Sequence, residues 1–408
     1  MLRHQAFKFR LYPNVEQRIG LARQFGCARF VYNHFLRQRI DYYAAHKGEQ
    51  KQGLNYSDTA RALVELKQQP ETEWLGEVNS QALQQSLMDL DTAYQNFFTG
   101  RAKFPHYKCK RDKQAFRVPQ HFTLDTASGH LCLPKLTPIK IVLHRPVAGI
   151  IKSVTVSRTP SGRYFASLLC EIEMKDRKPK RRGKEQALDV GLKHFVVTSA
   201  GEKVETPAFL RQSEKQLAHL QRELSRKKPG SNNRHKARVK VARLHEHVAN
   251  QRADFLHKQS RRLIDESQAI YVEGLNVKGM LANHSLAKSI SDAGWGEFLR
   301  QLRYKGEWYG CRVEAIDRFF PSSRTCGNCG GMHAALTLAD REWECPECHT
   351  LLDRDLNAAR NILTAGRARA KQHQQEGRAG IAQTQTPGEM CASQARQRTR
   401  KPPALAVR

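Results

Sequence analysis

Residues 326–363 read CGNCGGMHAALTLADREWECPECHTLLDRDLNAARNIL, and this stretch decides how the whole chain is to be read. It opens with Cys326-Gly-Asn-Cys329 and, fifteen residues further on, repeats the spacing as Cys345-Pro-Glu-Cys348. Each pair sets two thiolates on one tight turn, and two such turns complete a tetrahedron. Soft sulfur donors with no open position favour a structural Zn²⁺. Gly330 and Pro346 suit the turns, and His349, next to a ligand, reads as a bystander. The stretch closes on Asp353-Arg354-Asp355, which leads into a helix over Leu356–Leu363 with Asp355 near its N-cap. A thiolate ribbon alone says little about activity, because many are binding modules or staples.

Working outward, two more carboxylates stand out. Asp189 lies within Ala187-Leu188-Asp189-Val190, a strand otherwise suited to burial, where an ionised carboxylate is costly unless a cation or donor meets it. Glu273 ends the apolar run Ala269-Ile270-Tyr271-Val272 and precedes Gly274. Each acid has a plainer use: Asp189 could cap a turn, Glu273 could pair with an arginine, and Asp355 could simply cap its helix. Three acids on two strands and a helix start, in a strongly basic chain, suggest instead a cluster holding Mg²⁺, whose preference for hard oxygen they match. Two such ions about 4 Å apart can activate a water and stabilise a leaving 3′ oxygen in phosphodiester hydrolysis.

The 408 residues carry 69 Lys and Arg against 39 Asp and Glu, a formal net charge of +30. That excess does not fit an ordinary metabolic enzyme and points to a polyanion, either nucleic acid or an acidic membrane surface. The sequence has no run of about 18 apolar residues, which excludes a membrane-spanning helix. The start, MLRHQAFKFRLYPN, lacks an apolar core with a small-residue cleavage site and does not read as a secretory signal. Of ten cysteines, four are paired by spacing and six (Cys27, Cys109, Cys132, Cys170, Cys311, Cys391) are scattered. That usage suits a reducing compartment, so a cytoplasmic protein is expected.

Period-two alternation over Phe7–Tyr12 predicts a strand ending at Pro13-Asn14. Helical spacing follows over Val15–Tyr43, and again over Gln81–Phe98 through Leu83, Leu87, Leu90, Tyr94 and Phe97. Arg101–Arg111 interleaves Lys103, Lys108, Lys110 and Arg111 with Phe104 and Tyr107. It suits either phosphate contact with stacked bases or a solvated loop with two rings tucked inward. Alternation returns from Phe116 to Glu173, with strands at Ile139–Leu143, Ser153–Ser157 and Tyr164–Cys170, so a small antiparallel barrel or sheet is expected, joined by Phe7–Tyr12. Lys175–Lys184 holds seven basic residues and one acid and reads as a linker, either following a phosphate backbone or simply solvated. Beyond it the pattern is mixed α/β. Strands are expected at Gln186–Val190, Phe195–Ser199, Ala269–Val272 and Cys311–Ile316, and helices over Leu210–Leu224, Ala237–Val248 and Trp295–Trp308. Between Arg226 and Arg243 stand eight bases, Lys227 and Lys228 among them, and no acid. After Thr364 the chain is rich in Gln, Arg, Ala and Pro without apolar periodicity and is expected to be disordered.

These residues resemble a known family. Leu188-Asp189-Val190-Gly191-Leu192-Lys193 is similar to the first motif of a RuvC-type nuclease, and Tyr271-Val272-Glu273-Gly274-Leu275 to the second. The stretch from Cys326 to Ile362 resembles the zinc ribbon and third motif of the TnpB proteins of bacterial insertion sequences, which are similar to type V CRISPR nucleases. Arg29-Phe30-Val31-Tyr32-Asn33, Phe104-Pro105 and Ser289–Trp295 also match, so the resemblance covers residues 1–364. One departure is that the first motif opens Gln186-Ala187-Leu188 where members often carry Gly followed by Ile or Val.

The resemblance implies an RNA-guided DNA endonuclease. A guide RNA from the transposon end pairs with the target strand, the protein reads a short flanking DNA motif, and one site cuts both strands of double-stranded DNA. By position, Asp189, Glu273 and Asp355 become the catalytic, Mg²⁺-binding acids, with Asp355 chosen over Asp353, and Cys326, Cys329, Cys345 and Cys348 the zinc ligands. Arg354 and Arg360 are expected near the scissile phosphate, with Arg29, Lys103, Lys108, Lys110, Arg111, Lys227 and Lys228 as further nucleic-acid contacts. The implied fold is α/β with all-β and α-helical parts. A wedge β-barrel (residues 1–13 and 112–174) carries a helical recognition insertion (14–111), and a basic linker (175–184) follows. An RNase H-like RuvC domain (185–319 and 351–366) is interrupted by the zinc ribbon (320–350), and a disordered basic tail (367–408) ends the chain. A monomer with one RNA, away from any membrane, in the bacterial cytoplasm and on the nucleoid when DNA-bound, completes the expectation. Rival readings are a guide-directed binder with a dead site, which would need a lost acid, and a transposase or its accessory, for which no separate motif stands. A guide-independent nuclease is the third, separable by whether cleavage needs matched RNA.

Overall fold

Alternating side chains make β1 (Leu2–Tyr12) a strand whose Phe7, Phe9 and Leu11 all point into a core. The computed structural model, which describes residues 2–48, 53–173, 183–337 and 340–382, sets that strand inside a seven-stranded antiparallel sheet. The other members are β2 (Gln114–Val118), β3 (Thr123–Asp125), β4 (His130–Cys132), β5 (Ile139–Val142), β6 (Ile150–Arg158) and β7 (Tyr164–Glu173), in the order β2-β6-β7-β1-β5-β4-β3. Strand β1 pairs with β7 from Leu2 opposite Glu173 to Leu11 opposite Tyr164, and with β5 at its far end. Among the described residues no pairing joins the outermost strands, β2 and β3. Of the barrel or sheet expected here, the structure shows the antiparallel sheet.

Between β1 and β2 the chain builds a helical layer of α1 (Val15–Ala45), α2 (Tyr56–Leu66), a 3-10 turn over Pro70–Glu77, and α3 (Ser80–Phe98). Asn14 and Gln17 cap α1 reciprocally, so the helix starts at Val15, directly after the cap. Its first half gives Leu21, Phe25 and Ala28 to the sheet's core. Its second half gives Val31, Phe35 and Leu36 to a separate core with Leu63, Leu75, Leu83, Leu87 and Leu90. Two long helices, α4 (Phe209–Ser225) and α5 (Asn232–Glu266), come later in the chain. Their residues Ala208–Phe255 group with the described residues of 2–173 as one compact unit, not with the α/β part in which the sequence reading put them. Glu246 of α5 accounts for this: Ser161 of the β6–β7 turn donates to it and Arg163 lies 3.8 Å away.

Among the described residues, the second unit lies within 183–207 and 256–382. Its sheet runs β10-β9-β8-β11-β12, from β8 (Lys184–Asp189), β9 (His194–Thr198), β10 (Lys203–Glu205), β11 (Ser267–Val272) and β12 (Arg312–Ala315). The first three form an antiparallel meander, while β8, β11 and β12 run parallel. Ala269 to Val272 are all buried, as parallel strands covered on both faces should be. The helices α6 (Val277–Met280), α7 (His284–Ala293) and α8 (Trp295–Tyr309) precede β12, and Phe298 of α8 meets Phe195 of β9 edge-on at 4.9 Å. A two-stranded ribbon, β13 (Glu342–Glu344) with β14 (Leu351–Asp353), runs directly into α9 (Arg354–Ala382). No helix of the described residues is long and apolar enough to cross a membrane.

Helix α9 corrects the expectation of disorder after residue 366. Ala, Arg, Gln and Lys are strong helix formers, and here the helix packs through small residues and arginines instead of a large apolar stripe. Ala370 is buried, Arg367 pairs with Glu185 at 2.7 Å, and Arg369 donates to the Ala315 carbonyl at 2.9 Å. Residues 383–408 of the expected tail, and most of the expected linker, lie outside the described residues. Gly366 sits so close to the buried Tyr271 ring that a Cβ would overlap it. Gly366→Ala is therefore expected to cost about 2–3 kcal/mol by overpacking, read from denaturant midpoints; an unchanged midpoint would show that α9 is not seated on β11.

Candidate active site and metal centre

Leu188 of β8 lies opposite Val272 of β11, so the next residues, Asp189 and Glu273, end two adjacent parallel strands side by side. Gly274 follows because the chain there passes the Ile316 carbonyl, 2.9 Å from where a Cβ would stand. The third acid, Asp355, occupies the first turn of α9, the helix that packs on β8 and β11. Asp189 senses both partners. Burial first, then the charges of Asp355 and Glu273, push its carboxyl from 3.8 up to about 7, against the pull of Arg354 and a Val190 backbone hydrogen bond. Burial also raises Glu273. Asp355 is not free of cations, since Arg341 of the ribbon approaches it at 3.7 Å.

The acids of Asp353-Arg354-Asp355 divide their work. Asp353, not Asp355, caps α9, accepting the Leu356 N–H at 2.9 Å, and Lys203 Nζ lies 2.6 Å from its other oxygen. Burial opposes ionisation there, but Lys203 and the Leu356 N–H hold the Asp353 carboxyl below its usual range. Arg354 turns its guanidinium to the Thr337 carbonyl at 2.7 Å while its charge is felt at Asp189. Arg360 lies exposed further along α9.

Oxygen-only donors, one of them raised to about 7 by burial and then by its like-charged neighbours, fit a hard divalent cation that would relieve the repulsion. The acids are nonetheless looser than the four cysteines. Among the described residues, those thiols are the one group of three or more candidate ligands whose donor atoms all lie within 4.8 Å. Cys326 and Cys348 Sγ are 3.7 Å apart, Cys329 and Cys345 Sγ 3.6 Å. Those distances match the roughly 3.8 Å edge of a tetrahedron built on 2.3 Å zinc–sulfur bonds. The Gly331 N–H points at Cys329 Sγ (3.4 Å), and Asn328 Nδ2 at Cys348 Sγ (3.7 Å). The thiol set fits zinc.

The expected nucleic-acid residues of the first unit separate into three groups. Arg29, Lys110 and Arg111 line a cleft of about 900 Å³ together with Arg158, Arg234 and Arg238. Lys108 is held by its neighbours. Its ammonium lies over the Tyr32 ring at 3.7 Å, and Asn33 grips its backbone through both N–H and C=O at 2.8 Å. Lys103, Lys227 and Lys228 are exposed. Phe104 packs edge-on against Tyr94 and Phe97 yet stays half-exposed, as does Tyr107. The sequence reading did not single out Arg158, Arg341, Lys203, Asn357 or Asn361. Only the two asparagines left a signal, their four-residue spacing on one helical face after Asp355.

An acid-bearing α/β sheet joined to a four-cysteine ribbon, in one chain with a basic unit of antiparallel sheet and helices, is the class that fold and site define. A family profile for OrfB of IS605 type, described as "Probable transposase", matches residues 167–284. A "Cas12f1-like, TNB domain" profile matches 295–362, and the OrfB helix-turn-helix domain matches 1–48. The chain is 43% identical over 367 residues to the "Putative RNA-guided DNA endonuclease" of Streptomyces pristinaespiralis, covering 89% of this chain and 90% of that one. It is 37% identical over 385 residues to "Putative RNA-guided DNA endonuclease InsQ" of Escherichia coli K12, covering 90% and 94%. The solved structure titled "Cryo-EM structure of the Cas12f1-sgRNA-target DNA complex" shares its fold, with a TM-score of 0.53 at 12% identity over 89% of this chain and 99% of that one. The chain belongs to the TnpB family, the OrfB-type proteins of insertion sequences.

Proposed function

We propose that this chain is an RNA-guided DNA endonuclease of an insertion sequence, hydrolysing phosphodiesters at Asp189, Glu273 and Asp355 with divalent cations. What supports the reading is that the paired parallel strands β8 and β11 end on Asp189 and Glu273 and that α9, with Asp355 in its first turn, packs on both, while burial and both neighbours raise Asp189 to about 7. The relatives' names support guide RNA and DNA as partners, and the +30 charge supports extensive backbone contact, with sequence discrimination delegated to base pairing. The antiparallel meander continued by two parallel strands supports the RNase H-like assignment. The basic cleft lined by Arg29, Arg234 and Arg238 supports a phosphate-backbone path in the first unit.

Mg²⁺, held by the three carboxylates, would polarise the phosphodiester and lower the pKa of the attacking water. The residues of the chain do the rest. The parallel strand ends of β8 and β11 fix Asp189 and Glu273 side by side, and the capped start of α9 brings Asp355 to them. Arg354 and Arg341 offer positive charge at the edge of the acids where a phosphate would lie. The thiolate site would hold Zn²⁺ as a staple. Cutting next to a short flanking motif, in a single site, by a monomer carrying one RNA, belongs to the same proposal.

Sequencing the RNA that co-purifies, then cleaving a plasmid carrying the matching target, tests it. Asp355→Asn is expected to lower cleavage by more than a thousandfold. Asp353→Asn, which keeps an acceptor for the cap, should retain activity within about tenfold. Equal activity in the two variants, or cutting without matched RNA, counts against the assignment.

A further inference from the structure

Asn357 and Asn361 follow Asp355 on α9, and both are buried. Their carboxamides reach the turn that carries the first cysteine pair. Asn357 Oδ1 accepts the Gly327 N–H at 2.9 Å, and its Nδ2 donates to the Thr325 carbonyl at 2.7 Å. Asn361 Nδ2 donates to the carbonyls of Ser322 at 2.8 Å and Thr325 at 2.7 Å. Gly327 lies between Cys326 and Cys329, and a Cβ there would stand 2.9 Å from Asn357 Oδ1 and 3.2 Å from Asn361 Oδ1. Two side chains thus latch the cysteine turn to the helix that begins with Asp355. A carboxamide suits this task because it grips a backbone N–H and a carbonyl at once, without adding a fourth negative charge near three acids.

We infer that Asn357 and Asn361 are positioning residues that transmit the state of the four-cysteine site to Asp355, so that cation binding by the acids depends on the thiolate centre. The cysteine turns would hold zinc between them, and the first turn's backbone would be fixed by it. The asparagines carry that fixity to α9, and α9 sets where the Asp355 oxygens stand relative to Asp189 and Glu273. The inference rests on the reading that these acids bind divalent cations.

The test uses the full-length protein with its co-purified RNA and Mn²⁺ as the probe, its binding followed by electron paramagnetic resonance. The difference from Asp355→Asn isolates the cation bound at the acids from cations bound by RNA. Asn357→Ala with Asn361→Ala is expected to retain zinc, by elemental analysis, yet bind that Mn²⁺ about tenfold more weakly, the lower end of what supporting residues around metal ligands contribute. Stripping zinc from the unsubstituted protein should weaken Mn²⁺ similarly, and should do nothing further to the double variant. Gly327→Ala, which displaces the Asn357 carboxamide and leaves α9 and all four cysteines intact, should weaken Mn²⁺ in the same direction and decides the matter if the double variant does not fold. Unchanged Mn²⁺ affinity in these variants overturns the inference and leaves the acids in place. If Asp355→Asn itself changes nothing, the reading of the acids fails and the inference goes with it.

Discussion

Asp189→Asn is expected to abolish cleavage and, without divalent cations at pH 8, to make the protein more stable. The sign follows from the folded-state pKa. Burial and two like charges raise Asp189 from 3.8 to about 7, so the folded protein binds this proton more tightly than the unfolded chain does. The resulting stabilisation is complete below about pH 4 and is lost as pH rises through about 7. Above that, the ionised side chain destabilises the fold by an amount on the order of 4 kcal/mol, about 1.4 kcal/mol for each of roughly three pH units. Asparagine cannot ionise and escapes the loss. Without added divalent cations, thermal melts of the variant and the unsubstituted protein should lie closest at pH 4 and below and separate progressively as pH rises, by several degrees at pH 8, the variant melting higher. Added Mg²⁺ should reverse the order, because only the unsubstituted protein keeps all three carboxylates for it. A variant that melts lower at every pH would mean that Asp189 serves packing, and a variant that still cuts would remove it from the site.

The parts of this site legible from sequence were those in which a residue contradicts its surroundings. Asp189 within an apolar strand announced itself, as did two cysteine pairs at ribbon spacing. The strands bearing Asp189 and Glu273 were also legible, because buried parallel strands read as short apolar runs. What stayed hidden was contact between distant segments. Lys203 meets Asp353 across 150 positions and Arg341 meets Asp355 across a turn of the ribbon, and neither pairing has a local pattern. The cap of α9 was assigned to the wrong acid of Asp-Arg-Asp, since either aspartate can serve and only the position of the first helical turn decides. The end of α9 was missed for a related reason. Its contacts are a glycine on a tyrosine ring, an alanine and two arginines, and a search for large apolar residues at helical spacing passes over such a face. Lys108 has a contact of the same hidden kind, its ammonium lying over the Tyr32 ring at 3.7 Å.

Cys326→Ser should lose bound zinc and at least a hundredfold in cleavage, through loss of local structure and not of chemistry. The ribbon's own core is small: Leu336 and Trp343 with Cys326 and Cys345, flanked by Cys348 and Leu352. A segment of that size cannot bury enough apolar surface to fold alone and relies on metal binding, which contributes about 10–16 kcal/mol in isolated zinc-finger peptides. Cys326 is itself buried, and a serine hydroxyl there is a poor zinc donor that leaves three thiolates without a tetrahedron. The damage should travel along the chain, because β14 ends at Asp353, whose carboxyl caps α9 two residues before Asp355. Trp343, buried and edge-on to His333 at 5.4 Å, reports the event. Its fluorescence should shift to longer wavelength in the variant, and likewise when a chelator strips zinc from the unsubstituted protein. Readdition of Zn²⁺ should restore both the spectrum and cleavage in the latter alone. Full zinc content with undiminished cutting in Cys326→Ser would show instead that the four thiols are not a metal centre, and that Asp355 is held in place by the asparagine contacts and its helix cap without them.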